Sequence, residues 1–476
     1  MTVSPTDATG WAGVAVCVAG VGVSGVAAAE TLVRRGARVT AVDARAGERE
    51  ATRAALLEAL GARVRLGAAA AADLPAGTVL VVTSPGWRPD APLLVAATAA
   101  GVPVWGEVEL AWRLRPPGAA PWLAVTGTNG KTTTIRMLAA MLAAAGHRTI
   151  AAGNVGTPVL AAVTARPAYD VLAVELSSFQ LHWSASVAPY AAAVLNVAPD
   201  HLDWHGSLAA YAAAKSKILT SAGCAVVNAD DPGAMALADG ARDVHPFTLG
   251  SPVQGGLGVL DSRLVDRAWG ATTGSGAPDG VVLASVGDVR PAGPHNVANA
   301  LAAAGLARAY GVPPGAVRAG LRAYAPDPHR NAPVATVRGV AYVDDSKATN
   351  PHAAAASLSA YPSVVWVAGG LAKGASFDAL VAGAAGRLRG AVLLGVDRGQ
   401  IAAALLRHAP DLPVVEVPAT ETGAMDAVVR LAAELAGPGD TVLLAPAAAS
   451  MDMFTDYRER GEAFAAAVRR LPGDRR

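Results

Sequence analysis

The clearest chemical spacing in the chain is Gly127-Thr128-Asn129-Gly130-Lys131-Thr132, with Thr133 behind it. It follows the apolar run Trp122–Thr126 and opens a helical stretch reaching about Ala145. Glycines at such a turn let backbone N–H groups curl around phosphate oxygens. A lysine there reaches the outer phosphates, and a hydroxyl at the helix start ligates Mg²⁺. Only two residues separate the glycines, where the common phosphate-loop pattern has four. An ordinary strand-to-helix turn is the plainer alternative, but the Gly-Lys-Thr triplet after a buried strand favours phosphate.

Further chemistry-bearing residues stand at the ends of other apolar runs. Glu175 closes Val171–Val174. A carboxylate on a buried strand needs a cation or a donor. Asn196-Val-Ala-Pro-Asp200-His201-Leu-Asp203 stands at the end of a predicted strand and suggests metal or phosphate work, with a helix cap by Asp200 as the plainer role. Asp344-Asp345-Ser346-Lys347-Ala348-Thr349-Asn350 follows Val340–Val343, Lys373 follows Val364–Ala368, and Ser450 follows the run ending at Pro446. Two lysines and a hydroxyl at strand ends suit an anionic ligand such as an acidic amino acid. Lys215 and Lys217 lie on an Ala-rich helical stretch, where position alone predicts a solvated lysine.

Near the N-terminus, Gly20-x-Gly22-x-x-Gly25 follows the strand-like Val14–Ala19, and Asp43 ends the next run. That is a strand–turn–helix–strand unit able to hold a diphosphate at a helix N-terminus. It admits a nicotinamide dehydrogenase as a competing reading, and a nucleotide-sugar diphosphate fits equally well.

The elements that must position these residues alternate between short buried strands and helices. The 476 residues and the break at Arg115-Pro-Pro-Gly118 point to three α/β domains: 1–118, 119–326 and 327–476. Gly250–Gly287 reads as strands and loops on the rim of the second, His295–Tyr310 as a helix, and Thr455–Arg470 as the closing helix. Hydrophobic residues make up 52% of the chain, enough for several cores. A net charge of +1 gives no reason to expect a nucleic-acid partner. Cys17 and Cys224 form no disulfide framework. The first ten residues carry no basic start with an apolar stretch, and the apolar runs are too broken for membrane insertion, so a cytoplasmic monomer is expected.

Taken in order, these motifs resemble the Mur ligases over essentially the whole chain. The resemblance rests on Gly127–Thr133, Gly153-Asn154-Val-Gly156, Glu175–Leu181, Asn196–Asp203, Gly293–Asn299, His329-Arg330-Asn331, Asp344–Asn350 and Pro446–Phe454. Asp345-Ser-Lys-Ala-Thr-Asn350 is similar to the branch that adds D-glutamate to UDP-N-acetylmuramoyl-L-alanine, rather than to folylpolyglutamate synthases. The resemblance implies a Rossmann-like N-terminal domain, a central ATPase-like domain with a phosphate loop, and a Rossmann-like C-terminal domain with a parallel sheet.

It further implies ATP on Gly127–Thr133 together with Asn299, Arg330 and Asp345. Two Mg²⁺ ions are implied on Thr132, Glu175, His201 and Lys215, with Lys215 carbamylated and therefore a metal ligand rather than a solvated cation. Asn154, Lys131, His201 and Lys215 are the implied catalytic set. The UDP portion falls to Ser24, Asp43, Ser84 and Gly86, and D-glutamate to Lys347, Thr349, Lys373, Ser450 and Tyr457. The chain departs from relatives at Ala44, where some carry a hydroxyl residue, and at Tyr457, where a Phe is expected.

Overall fold

The computed structural model describes residues 10–269, 280–418 and 423–473. The reading of the first ten residues and part of Gly250–Gly287 lie outside the described residues. Short apolar runs such as Val16-Cys-Val-Ala19 are buried, as strands covered on both faces by helices must be, while the edge strand Arg63–Leu66 is only partly covered. Five of them, β1 (Ala15–Ala19), β2 (Arg38–Asp43), β3 (Arg63–Leu66), β4 (Leu80–Thr83) and β5 (Val104–Gly106), form a parallel sheet in the order β3-β2-β1-β4-β5. The order reverses beside β1, and the helix Val23–Arg34 starts there. That switch point is where an open sheet of this kind presents a crevice. A Cβ on Gly25 would collide with the Gly20 carbonyl, so only glycine lets this helix approach the loop so closely.

The second sheet has nine strands: β6 (Trp122–Thr126), β7 (Thr149–Gly153), β8 (Val171–Glu175), β9 (Ala191–Val194), β10 (Ala225–Asn228), β11 (Val244–Phe247), β12 (Leu257–Leu260), β13 (Arg263–Asp266) and β14 (Val281–Ser285). Their order is β14-β13-β12-β11-β10-β9-β6-β8-β7. It is parallel from β7 to β12, and β13 turns back antiparallel on β12. The strand-and-loop reading of Gly250–Gly287 corresponds to this rim.

The third sheet contains β15 (Ala332–Val337), β16 (Val340–Asp344), β17 (Val364–Gly369), β18 (Leu388–Leu394), β19 (Val414–Glu416) and β20 (Thr441–Leu444), ordered β15-β16-β20-β17-β18-β19. Five of its strands are parallel. β15 adds an antiparallel edge that the sequence reading did not anticipate, because its half-buried pattern lacks a continuous apolar run. The helix expected over His295–Tyr310 spans Pro294–Ala309. The closing helix begins at Tyr457, because Asp456 caps it by accepting from the Arg458 and Glu459 amides.

The chain divides into two compact units. The first holds the residues up to Val197, Trp204–Ala284 and Ala300–Leu321. The second holds Ala198–Asp203, Ser285–Asn299 and the chain from Arg322 onward. Among the described residues, no helix is long and apolar enough to cross a membrane.

Within the first unit, the helix Glu107–Arg113 carries two buried carboxylates that reach segments flanking the second sheet. Glu109 accepts from the Ala185 and Ser186 amides, the Ser186 hydroxyl and Arg113. Burial pushes its carboxyl up, but these donors outweigh it and the net shift is downward. Glu107 has fewer donors. Its Oε1 accepts from the Leu160 amide at 2.6 Å, and Oε2 is buried without a hydrogen-bond partner among the described residues. Burial raises this carboxyl to about 7, against the pull of the Leu160 amide. A raised folded-state value means that stability present at acidic pH is lost as pH climbs from the ordinary carboxylate range through about 7. Glu107→Gln keeps an acceptor for Leu160 and removes the buried charge. It is expected to melt roughly 2–6 °C higher than the parent at pH 8, on about 2–4 °C per kcal/mol, and equally at pH 5. Parallel thermal melts at the two pH values check this, and equal melting at pH 8 would refute it.

Candidate functional site

The phosphate-loop sequence lies where the strand-end argument puts it, between β6 and the helix Lys131–Ala144. Its backbone is pinned from the side by Asn196. The Asn129 amide donates to Asn196 Oδ1 at 2.8 Å, Asn196 Nδ2 returns a bond to the Asn129 carbonyl at 3.2 Å, and the Thr128 amide donates to the Asn196 carbonyl at 3.0 Å. Thr128 Oγ1 meets the Tyr211 hydroxyl at 2.9 Å. Thr132 and Thr133 are buried in the first turn of the helix. Lys131 Nζ donates to the carbonyls of Gly127 and Thr128, each at 2.9 Å.

Lys215 corrects the solvated reading of its position. It is buried on the inner face of the helix Leu208–Ser221, with Nζ 2.8 Å from the Gly127 carbonyl and 3.4 Å from Thr126 Oγ1. The Tyr211 ring, one turn earlier, lies 4.5 Å from the same ammonium. Two lysines distant in sequence therefore converge on one carbonyl of the loop.

Glu175 ends β8, next to β6 on one side and β7 on the other. Its Oε1 accepts from Asn154 Nδ2 at 2.8 Å. Its Oε2 is buried and has no hydrogen-bond partner among the described residues. Gly153 adopts a φ of +107°, and a Cβ there would collide with the Glu175 carbonyl, so β7 can deliver Asn154 this close only through glycine. A carboxylate oxygen buried without a donor suits a bound cation, and the Thr132 hydroxyl and the carbonyls of the loop after the adjacent strand β6 are hard oxygen donors. These residues fit Mg²⁺.

In the N-terminal sheet, Asp43 is buried and both its carboxylate oxygens are engaged. Oδ2 accepts from the Val21 amide at 2.9 Å and Oδ1 from the Arg45 amide at 3.0 Å. It braces the glycine turn instead of pointing outward for a ribose, which weakens the dehydrogenase reading. Ser84 Oγ lies 3.5 Å from the Gly20 carbonyl. Ser24 is half-buried in the first turn of its helix, and Gly86 is exposed in the turn after β4.

The second unit carries the remaining predicted residues. His201 is exposed with φ +54°, and its Nε2 lies 3.6 Å from Asp200 Oδ2. Asn299 donates to Asn296 at 3.2 Å on one helix face. Asp345 accepts from the Asn331 amide and from the Ser357 hydroxyl. Burial pushes its carboxyl up to about 6, while Ser357, Arg330 and the Asn331 amide pull the other way. Arg330 itself lies 3.8 Å from Asp327.

Lys347 and Tyr457 come together, with the ammonium 4.0 Å from the ring centroid. A phenol keeps the cation-binding face that a phenylalanine would offer. Ser450 is buried, Thr349 is half-buried, and Lys373 is exposed with φ +52°.

Arg460, missed in the sequence, ties three of these strand-end loops together. It donates to Ser346 Oγ and to the Ser346 carbonyl, each at 2.9 Å, to Gly369 O at 3.4 Å and to Ala448 O at 3.1 Å. The available signal was its register with Phe464, Ala467 and Val468, the apolar face of the closing helix. Asn196 and Tyr211 were also missed as loop supports. The first opens a motif already noted, and the second sits four residues before Lys215.

Three family descriptions match the chain: Mur ligase MurD-like, N-terminal domain, over residues 14–106; Mur ligase middle domain over 125–307; and Mur ligase, glutamate ligase domain, over 329–448. A UDP-N-acetylmuramoylalanine--D-glutamate ligase of Thermobifida fusca is 61% identical over 464 residues, covering 96% of this chain and 98% of its own. One of Streptomyces coelicolor is 60% identical over 466 residues, covering 96% and 98%. Among solved structures, a UDP-N-acetylmuramate-alanine ligase from Thermotoga maritima has a TM-score of 0.59 at 20% identity, covering 95% of this chain and 99% of its own, a likeness of fold alone. The three matched segments follow one another along most of the chain, and with the chain-long identity to named relatives they show that the chain belongs to the Mur ligases, in their MurD-like branch.

Proposed function

We propose that the chain is an ATP-dependent amide ligase that adds D-glutamate to UDP-N-acetylmuramoyl-L-alanine through an acyl phosphate, a step in peptidoglycan precursor synthesis. The observation that carries this reading is the chain-long similarity to ligases named for that reaction. It acts in the cytoplasm as a monomer of three domains, 1–118, 119–326 and 327–476.

The substrate carboxylate attacks the γ-phosphate of ATP, and the amine of D-glutamate then attacks the acyl carbon and displaces phosphate. Gly127–Thr133 cradles the phosphates through backbone N–H groups. Lys131, now folded onto its own loop, swings to the outer phosphates. Asn299, Arg330 and Asp345 hold the rest of the nucleotide. Ser24, Ser84 and Gly86 face the UDP portion, and Asp43 acts there by fixing the glycine turn. Lys347, Lys373, Thr349 and Ser450 take the D-glutamate carboxylates, with Tyr457 covering the Lys347 ammonium.

Thr132, Glu175, His201 and a carbamylated Lys215 would hold two Mg²⁺ ions, which supply charge neutralisation during phosphoryl transfer. The partnerless Glu175 Oε2 supports the metal assignment. For Lys215, the support is burial of an ammonium against a carbonyl, a hydroxyl and a ring face. Carbamylation turns that cation into an anionic oxygen ligand. Asn154 orients Glu175 and remains exposed toward the reacting groups.

Incubation with ATP, UDP-N-acetylmuramoyl-L-alanine and labelled D-glutamate should give labelled product and ADP in equal amounts. Folate-dependent ADP release with no labelled muropeptide would overturn the reading. Lys131→Ala should lower ADP release on the order of 10³-fold, because it removes a positive charge from the transferring phosphate. Lys215→Ala should be inactive and partly recover in added acetate, and full activity without acetate would remove the carbamate assignment.

A further inference from the structure

Away from the phosphate loop, three side chains converge that the proposed reaction does not use. Cys224 immediately precedes β10, Asp243 immediately precedes β11, and His245 is the second residue of β11. The two strands are parallel neighbours, with Val226 opposite His245, so residues entering them lie side by side. One ligand atom from each of the three, including the cysteine sulfur, lies within 4.8 Å of the others.

The hydrogen bonds fix which ring nitrogen faces the group. His245 Nδ1 lies 2.8 Å from the Gly255 carbonyl, which can only accept, so Nδ1 carries the proton. The Trp269 ring, 4.3 Å from the imidazole centroid, packs beside it and limits its rotation. Nε2 is left facing Asp243 Oδ1 at 3.1 Å. A neutral imidazole would then oppose its lone pair to a carboxylate. A metal ion seated between them would take that lone pair and the carboxylate oxygen together.

The arrangement does not suit a nucleophilic cysteine. In a Cys–His–carboxylate relay the carboxylate holds the nitrogen remote from sulfur. Here a carbonyl takes that nitrogen and Asp243 shares the near side. The set has instead the makings of a coordination sphere. Sulfur, imidazole nitrogen and carboxylate oxygen are zinc ligands at about 2.0–2.3 Å, which puts neighbouring donor atoms roughly 3.3–3.8 Å apart. A carbonyl on the far ring nitrogen is the usual outer support of a ligating histidine.

We propose that Cys224, Asp243 and His245 bind one thiophilic divalent cation of the zinc type. The exposed Asp243 side leaves a fourth position for water. Binding expels the thiol proton, so affinity rises with pH. The ion clamps the entries of β10 and β11 and is distinct from the oxygen-lined Mg²⁺ ligands.

The test is a titration of chelator-treated full-length protein with Co²⁺ alone, followed by Zn²⁺. Tetrahedral Co²⁺ bound to thiolate gives a sulfur-to-metal charge-transfer band, which oxygen-bound ions at the nucleotide site do not. One equivalent should develop the band and Zn²⁺ should displace it. Cys224→Ser should abolish it, Cys17→Ser should keep it, and His245→Ala and Asp243→Asn should each weaken Co²⁺ binding by roughly tenfold or more. A parent protein without the band at saturating Co²⁺, or a band that survives Cys224→Ser, overturns the site. Should Cys224→Ser fail to fold, unchanged affinity in both other variants overturns it as well.

Discussion

Two ammonium groups donate to one carbonyl. Lys131 and Lys215 both bond to Gly127 O, and the geometry of the phosphate loop follows from that meeting. Unit charges roughly 5 Å apart repel by about 3 kcal/mol at an effective dielectric near 20. A loop that holds two cations against one dipole favours whatever brings negative charge to it. Phosphate oxygens do so from outside. The carbamylation proposed for Lys215 would do so from within, by converting one repelling partner into an attracting one. The buried Glu175 oxygen lies at the end of the adjacent strand. The central domain therefore gathers charges that a bound nucleotide and cation would balance.

That balance requires a rigid frame, and the frame is made of uncharged contacts. Asn196 clasps Asn129 in both directions, and Tyr211 meets both Thr128 and Lys215. Gly153 allows β7 to press Asn154 against Glu175. Asn196, Tyr211 and Gly153 need not touch substrate. Each removes a freedom that the loop would otherwise have to lose at the moment of binding.

How much of this was legible in the sequence depended on how local the information was. The phosphate loop, the glycine turn near Gly20 and the strand-end polar segments are strings of consecutive residues, and their order could be read directly. Lys215 could not be read from its position, because its burial is decided by Thr126 and Gly127, nearly ninety residues away. Arg460 was hidden for a similar reason: in sequence it sits in a charged stretch, while its four acceptors come from three other loops. The edge strand β15 carried too little apolar pattern to be distinguished from a loop. Asp43 stands at the usual spacing from the glycine turn, but its bond from the Val21 amide joins two segments and could not be read from spacing.

Arg460 shows why a buried charge persists in the third sheet. Burial lowers its guanidinium to about 10, with Asp452 and Asp344 opposing, so it stays charged at neutral pH. Desolvating it costs several kcal/mol, and an apolar side chain of similar volume would avoid that cost. Such a replacement would leave the Ser346, Gly369 and Ala448 acceptors without their donor at the strand ends. Those loops carry or adjoin Lys347, Lys373 and Ser450, the residues assigned to an amino acid with two carboxylates. A planar donor that fixes several backbone carbonyls at once sets the spacing between the loops more tightly than apolar packing can. The cost of burying it is best understood as the cost of holding that spacing.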